Sequence, residues 1–227
     1  MKDIINSFFD AFFSFTSPDA VYVENTPQNM MNSDVDSEGW YKWKPVEGTL
    51  SYEDYNKVEK RFNVKFPKSF IEWHKKYFFL RGGCSIISLP PSYPTQALQR
   101  VIDNLDNDLS EELIAQKLYP FATDDNDIGF FVFDAREDKT DNEYPIRLYD
   151  HEYGGDLDGL SEILFSSFTK LLECLTYAME NDSLPMHEKL AEFIRIDPEG
   201  AGKDGIDFWL ERIAVEKESF EDQNGIN

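Results

Sequence analysis

Apolar residues at Ile4, Ile5, Phe8, Phe9, Phe12 and Phe13 fall on one face of a helix, and predict an N-terminal helix that docks on the core or on a partner. The pattern then lapses. From Glu24 to Gly39 the chain is polar and acidic, with Pro27, Asn29, Asn32, Ser33, Asp34, Asp36, Ser37 and Glu38, and reads as a mobile linker. Trp40, Tyr41 and Trp43 follow, in a short extended piece closed by Pro45. Three large aromatics so close together fit a binding platform or a strand across the core, and the readiness of Trp to be buried favours the core. Ser51 is placed to cap a helix, with Glu53 and Asp54 in its first turn and Tyr55, Val58 and Phe62 as its buried stripe. Pro67 suits the first turn of a second helix. Phe66, Phe70, Trp73 and Tyr77 keep the helical period until Gly82-Gly83 ends it. Ile86, Ile87 and Leu89 read as a short strand, and a further helix is expected over about Thr95 to Leu105, running into the acidic stretch Asp103 to Glu112.

Beyond this the period changes from helix to strand. Tyr119–Thr123 and Ile128–Phe133 flank Asp124-Asp125-Asn126-Asp127, two apolar segments around an Asp/Asn turn, and predict a β-hairpin. A polar loop is expected from Asp134 to Asn142, a third strand over Pro145–His151 and a turn at Gly154-Gly155-Asp156. Ser166 or Ser167 then caps a helix with Phe168, Leu171, Leu172, Leu175 and Ala178 on one face. After Pro185, helices are expected over Met186–Ile194 and Asp204–Glu218, separated by the Pro198–Gly202 loop. Phe70, Trp73, Phe168, Leu172 and Leu175 are the expected core, joining the second helix to the later one across one sheet.

Charge changes this picture more than composition does. Hydrophobic residues form 41% of the chain, enough for a packed interior, but 44 acidic residues stand against 22 basic ones, a formal net charge of -22. Nucleic acid and anionic lipid need clustered Lys and Arg and are excluded as expected partners. A basic protein fits, because complementary fields speed encounter, although acidity also serves solubility. Cys84 and Cys174, the only cysteines, are too few for a disulfide framework and fit buried thiols in a reducing compartment. The apolar N-terminus lacks a small-residue cleavage site and is too short to span a bilayer, so the expected location is the cytoplasm.

Candidate chemistry is sparse. His74, His151 and His187 have no zinc-ligand spacing. Neither cysteine has a neighbour that marks a nucleophile, and the Gly pairs lack a phosphate-loop Lys. Asp124 to Asp127 supplies clustered oxygens but not the distant bidentate Glu of a calcium loop, so a solvated hairpin turn is the better account. No metal, cofactor or catalytic residue is expected.

From Leu50 to Gly83 the chain carries Glu59 in the first helix, Phe66-Pro67 and Ser69-Phe70 opening the second, and Gly82-Gly83 closing it. Phe121-Ala-Thr-Asp124, Phe133-Asp134, Tyr144-Pro-Ile146, Gly154-Gly155 and Ser166-Ser-Phe168 follow. This order of motifs resembles the SUKH superfamily, the Smi/Knr-like proteins. Asn63-Val64 departs from the usual small-residue step, and Phe78-Phe79-Leu80 precedes the glycines. The resemblance implies an α+β domain, an antiparallel sheet packed against helices, over residues 40–182. An N-terminal helix and acidic linker (1–39) and a C-terminal helical extension (183–227) lie outside it. It implies structural roles for Glu59, Pro67, Phe70, Gly82, Gly83 and Asp134, and a non-catalytic binding function, chiefly that of an immunity protein neutralising a toxin, often a nuclease. The alternatives are a cell-wall or signalling interaction hub and an unrecognised hydrolase. For a basic toxin, the expected binding carboxylates are Asp124, Asp125, Asp127, Glu152, Asp156 and Asp158, which sit in loops outside the apolar periods.

Overall fold

Helix α1 (Lys2–Thr16) turns Ile5, Phe8, Phe9 and Phe12 inward, so the predicted apolar face docks on the core. It leads into the aromatic centre of the molecule. The computed structural model describes residues 1–16, 20–137 and 143–225, and positions 138–142 of the expected polar loop lie outside them. Phe9 stacks on Trp73 at 6.0 Å. Trp73 belongs to α3 (Lys68–His74), as does Phe70, whose ring lies 5.3 Å from Phe168 and 5.6 Å from Phe133. Phe168 opens α6 (Phe168–Glu180), whose cap Ser167 accepts a hydrogen bond from the Lys170 N–H. The five residues expected to form the core are all buried.

Before α3, strand β1 (Ala20–Val21) pairs with β2 (Tyr41–Lys42), and β3 (Val46–Glu47) precedes α2 (Tyr52–Phe62). Ser51 and Asp54 form the capping box of α2. The stretch expected as a linker runs along the body instead. Met30 is fully buried, Met31 bridges to Trp43, and the Tyr41 hydroxyl donates to the Val23 carbonyl at 2.8 Å. Local polarity predicted a free segment, but one buried Met and a strand pair are enough to hold it. The aromatic triplet divides: Tyr41 and Trp43 are core, whereas Trp40 remains exposed.

Helix α3 ends earlier than its period predicts. Tyr77 leaves the helix for β4 (Tyr77–Phe78), which pairs with β3, and Gly48 donates to the Lys76 carbonyl at 2.9 Å. Strand pairing overrides the helical spacing here. The main sheet is antiparallel, in the order β5 (Gly83–Cys84), β6 (Ile87–Ser88), β7 (Leu118–Asp124), β8 (Gly129–Asp134) and β9 (Ile146–Asp150). Register shifts between Pro120 and Ala122, and Pro120, which cannot donate to a ladder, sits at the irregularity. Phe121 and Phe133 stack at 4.0 Å on the main core. The opposite face is covered as well. After α4 (Gln99–Leu105), the acidic stretch folds into α5 (Asp108–Ala115), capped by Asn107, and Leu113 packs with Leu118, Val132 and Tyr149. Covered on both sides, β8 is an unbroken apolar run rather than an alternating one.

Helices α7 (Met186–Ile196) and α8 (Ile206–Asn224) complete the chain. Fully buried Asp197 accepts from the Ser166 N–H at 2.6 Å, the Ser166 hydroxyl at 2.7 Å and the Gly200 N–H at 3.1 Å. Trp209 donates to the Leu164 carbonyl and packs on Phe165 and Phe193. One hydrophobic cluster therefore runs from Ile5 through the sheet to Trp209. The fold is α+β, with the extra terminal helices packed on the sheet-bearing middle.

His74 is fully buried, with Nδ1 2.7 Å from the Tyr55 hydroxyl. Burial lowers its pKa to about 3, with the Pro90 carbonyl acting in the opposite sense. The unfolded chain takes up this proton near the ordinary histidine range of about 6.5 while the folded chain does not. Stability associated with His74 is therefore present above that range and falls with pH down to about 3. Between pH 6 and 4 the unfolding free energy should fall with acid by up to about 1.4 kcal/mol per pH unit more than in His74→Gln. Equal slopes in urea titrations would contradict a neutral buried imidazole. Phe9→Ala should cost about 3–5 kcal/mol in the same assay, as for other core aromatics. A loss below about 1 kcal/mol would make α1 peripheral.

Candidate protein-binding site

The hairpin turn and the loop after β9 share one end of the main sheet. Gly129 at the start of β8 pairs with Asp150 at the end of β9, and the His151 N–H donates to the Ile128 carbonyl at 3.0 Å. The register of two strands thus brings the 124–127 and 150–158 segments side by side. Asp125, Asp127, Glu152, Asp156 and Asp158 are exposed there.

Asp124 is not on that surface. It is buried, its Oδ1 accepts from the Asn126 N–H at 2.8 Å, and its Oδ2 stands 3.9 Å from Arg212 on α8. The first residue of an Asp/Asn turn commonly folds its carboxylate back on the backbone, and α8 then covers it. Asp124 builds the turn, and its carboxylate is covered rather than exposed. Its charge reaches Asp125, whose pKa is raised first by partial burial and then by Asp124.

The 150–160 loop is held from beneath. The Tyr149 hydroxyl donates to the Asp156 carbonyl at 2.9 Å and accepts from the Gly155 N–H at 2.7 Å. Gln116, the residue that ends α5, donates to the Gly155 carbonyl. Gly155 has φ +97, and a Cβ there would stand 2.8 Å from Glu112, so the loop needs glycine at this point. Asp150 and Asp156 cap successive turns through the Glu152 and Asp158 N–H groups. These turns push out two large apolar side chains, Tyr153 at 50% exposure and Leu157 at 44%. Among the described residues, no Lys or Arg forms an ion pair with Asp125, Asp127, Glu152, Asp156 or Asp158. Sequence periodicity marks neither Tyr153 nor Leu157. The only signal was two apolar residues inside a Gly/Asp turn, where no core face calls for them.

The carboxylates of the resemblance are buried and bonded within the fold. Glu59 is buried on α2 and accepts from the Phe66 N–H at 2.9 Å and from Lys65 at 2.7 Å, fixing the turn between α2 and α3. Asn63, at φ 55, supplies the left-handed residue of that turn. Asp134 is buried between Arg136 (2.6 Å) and Arg147 (2.7 Å). Burial acts to raise its pKa, but hydrogen bonds from the two guanidinium groups outweigh it and lower the pKa. Pro67 immediately precedes α3, and Phe70 is core. A Cβ at Gly82 would meet the Leu89 carbonyl at 1.7 Å, whereas Gly83 has open space and nothing in the structure requires glycine there.

The groups with chemical potential are dispersed. His74 is core, His151 is exposed at the sheet end, and His187 lies beside Phe220 on α8. Burial pushes both thiols up, with the charge of Asp125 adding at Cys84 and that of Asp197 at Cys174. Ser166 donates to Asp197 and is a fastening, not a nucleophile paired with a base. Among the described residues, no group of three His, Cys, Asp or Glu is placed to hold a metal ion. Among the same residues, no helix is long and apolar enough to cross a membrane.

The model of the SMI1-KNR4 cell-wall family matches residues 52–172, the span from α2 to the first turns of α6. No curated protein matches the chain.

The two kinds of carboxylate should separate in stability measurements. Asp124→Ala should cost about 1–3 kcal/mol, because it leaves the Asn126 N–H without its acceptor and removes one of the two carboxylates beside Arg212. Glu152→Gln and Asp158→Asn should stay within about 0.5 kcal/mol of wild type. Equal losses in urea unfolding would show that the outer carboxylates are structural too.

Proposed function

The chain belongs to the SMI1-KNR4 (SUKH) family, and from that premise we propose that it is a non-catalytic immunity protein that binds a basic toxin domain through the acidic end of its main sheet. One observation carries the reading: Tyr153 and Leu157 stand out from a loop fastened by Tyr149, beside exposed carboxylates with which, among the described residues, no Lys or Arg forms an ion pair. Interface anchors are commonly large apolar side chains surrounded by a polar rim. Here the rim is anionic, which suits a partner rich in Lys and Arg.

The two parts of the surface act at different stages. The carboxylates accelerate encounter through the field, in proportion to how little salt screens them. Tyr153 and Leu157 slow dissociation by losing water contact against the partner. If the partner is a nuclease, its substrate-binding cations are the natural counterpart of this rim, and occupying them excludes nucleic acid from the same place. The fixed loop lowers the entropy lost on binding, since its turns are already set by Asp150 and Asp156.

The test is co-expression and co-purification with the product of the adjacent gene, followed by stopped-flow association with the partner so captured. The triple variant Asp125→Lys, Glu152→Lys, Asp158→Lys should associate about tenfold or more slowly at low salt and lose most of its salt dependence. Tyr153→Ala should instead raise the dissociation rate, at a cost of about 2 kcal/mol in affinity. Salt-independent association, equal in wild type and triple variant, would remove the sheet end as the toxin-binding surface.

A further inference from the structure

A cleft of about 680 Å³ opens between the start of α1, the segment after β3, and α3. Its sign is opposite to that of the molecule. In a chain with twice as many acidic as basic residues, Lys2, Lys68, Lys75 and Lys76 line this one cleft, against only Glu47 and Glu72. Glu72 is already engaged, accepting from the Tyr52 hydroxyl and pairing with Lys75 at 3.3 Å. Lys75 also lies 4.3 Å over the Tyr52 ring. Lys2, Lys68 and Lys76 form no ion pair among the described residues. Lys76 is half-buried, donates to Asn6 and stands over the Tyr77 ring, and it feels both the opposite charge of Asp10 and the like charge of Lys2. Ile5, Leu50 and Tyr77 supply an apolar wall beneath these ammonium groups.

Several ammonium groups held around one apolar wall repel one another unless an anion lies between them. Glu72 is shared between Lys75, with which it pairs, and the charge of Lys68, so the lysines outnumber the carboxylates that line the cleft. The volume falls within the range typical of small-molecule sites. Lysine recognises charge without the planar selectivity of arginine, so the arrangement selects for the number of negative charges rather than for one acid geometry.

We infer that this cleft is a binding site for a small polyanion with an apolar body, its carboxylate or phosphate groups held by Lys2, Lys68 and Lys76 and its body laid against Ile5, Leu50 and Tyr77. The inference is independent of the toxin-binding surface, which lies on other elements and has the opposite charge.

Backbone amide NMR titrations of the full chain test it. Benzenetricarboxylate should shift the amides of Gly48, Lys75 and Lys76 saturably at millimolar concentration or below. Inorganic phosphate should bind the same place more weakly, and benzyltrimethylammonium should leave those amides unmoved. The double variant Lys2→Glu, Lys68→Glu, changed only at exposed side chains, should keep its thermal transition and bind benzenetricarboxylate about tenfold or more weakly. No shift at those amides, or unchanged affinity in the double variant, would overturn the site. Phosphate binding as tight as benzenetricarboxylate would overturn the role of the apolar wall.

Discussion

Phe70 connects more of the molecule than its place on a seven-residue helix would lead one to expect. Its ring meets Phe121 and Phe133 from the central hairpin and Phe168 from α6, while its neighbour Trp73 meets Phe8 and Phe9 from α1. A helix of that length has little stability alone, because nucleation costs more than so few hydrogen bonds return. It exists because its aromatics are the surface on which the sheet, α1 and α6 all pack. The site depends on the same packing. The hairpin that presents Asp125 and Asp127 is the one whose Phe121 and Phe133 stack beneath Phe70, so the end of the sheet is anchored by its middle.

Electrostatics is organised by burial. Glu59, Asp124, Asp134 and Asp197 are all buried, and each accepts backbone N–H groups, cations or both. A buried carboxylate left without such partners would carry a large desolvation cost, and each here joins two segments of chain. Among the described residues most other carboxylates lie at or near the surface, where like charges repel one another. The lysine cleft is the main local exception to that outer field.

Much of this was legible from residue spacing. The N-terminal helix, the central hairpin, the third strand and the helix from Ser167 follow apolar periods that tertiary structure leaves intact. The errors have physical causes. Tyr77 kept the period of α3, but backbone pairing between β3 and β4 claimed it, and spacing along one segment carries no information about a distant strand. The segment from Glu24 to Gly39 looked free because its polarity is local, whereas Met30 docks on residues far away in sequence. Asp124 was grouped with its neighbours by composition, although the first position of the turn and α8 enclose it. Tyr153 and Leu157 were invisible to period-based reading because exposed apolar side chains obey no core face. Asp197 and Arg212 act across long separations in the chain, where a single sequence offers no pairing signal.

The central claim, that the protein works through the acidic end of its sheet, is tested most directly by hydrogen exchange of the complex with its toxin domain. Amide protection on binding should concentrate in residues 125–129 and 150–160, with α8 and the β1–β2 pair exchanging as in the free protein. Protection confined to α8, or to the region around Trp40, with the sheet end unchanged, would contradict it.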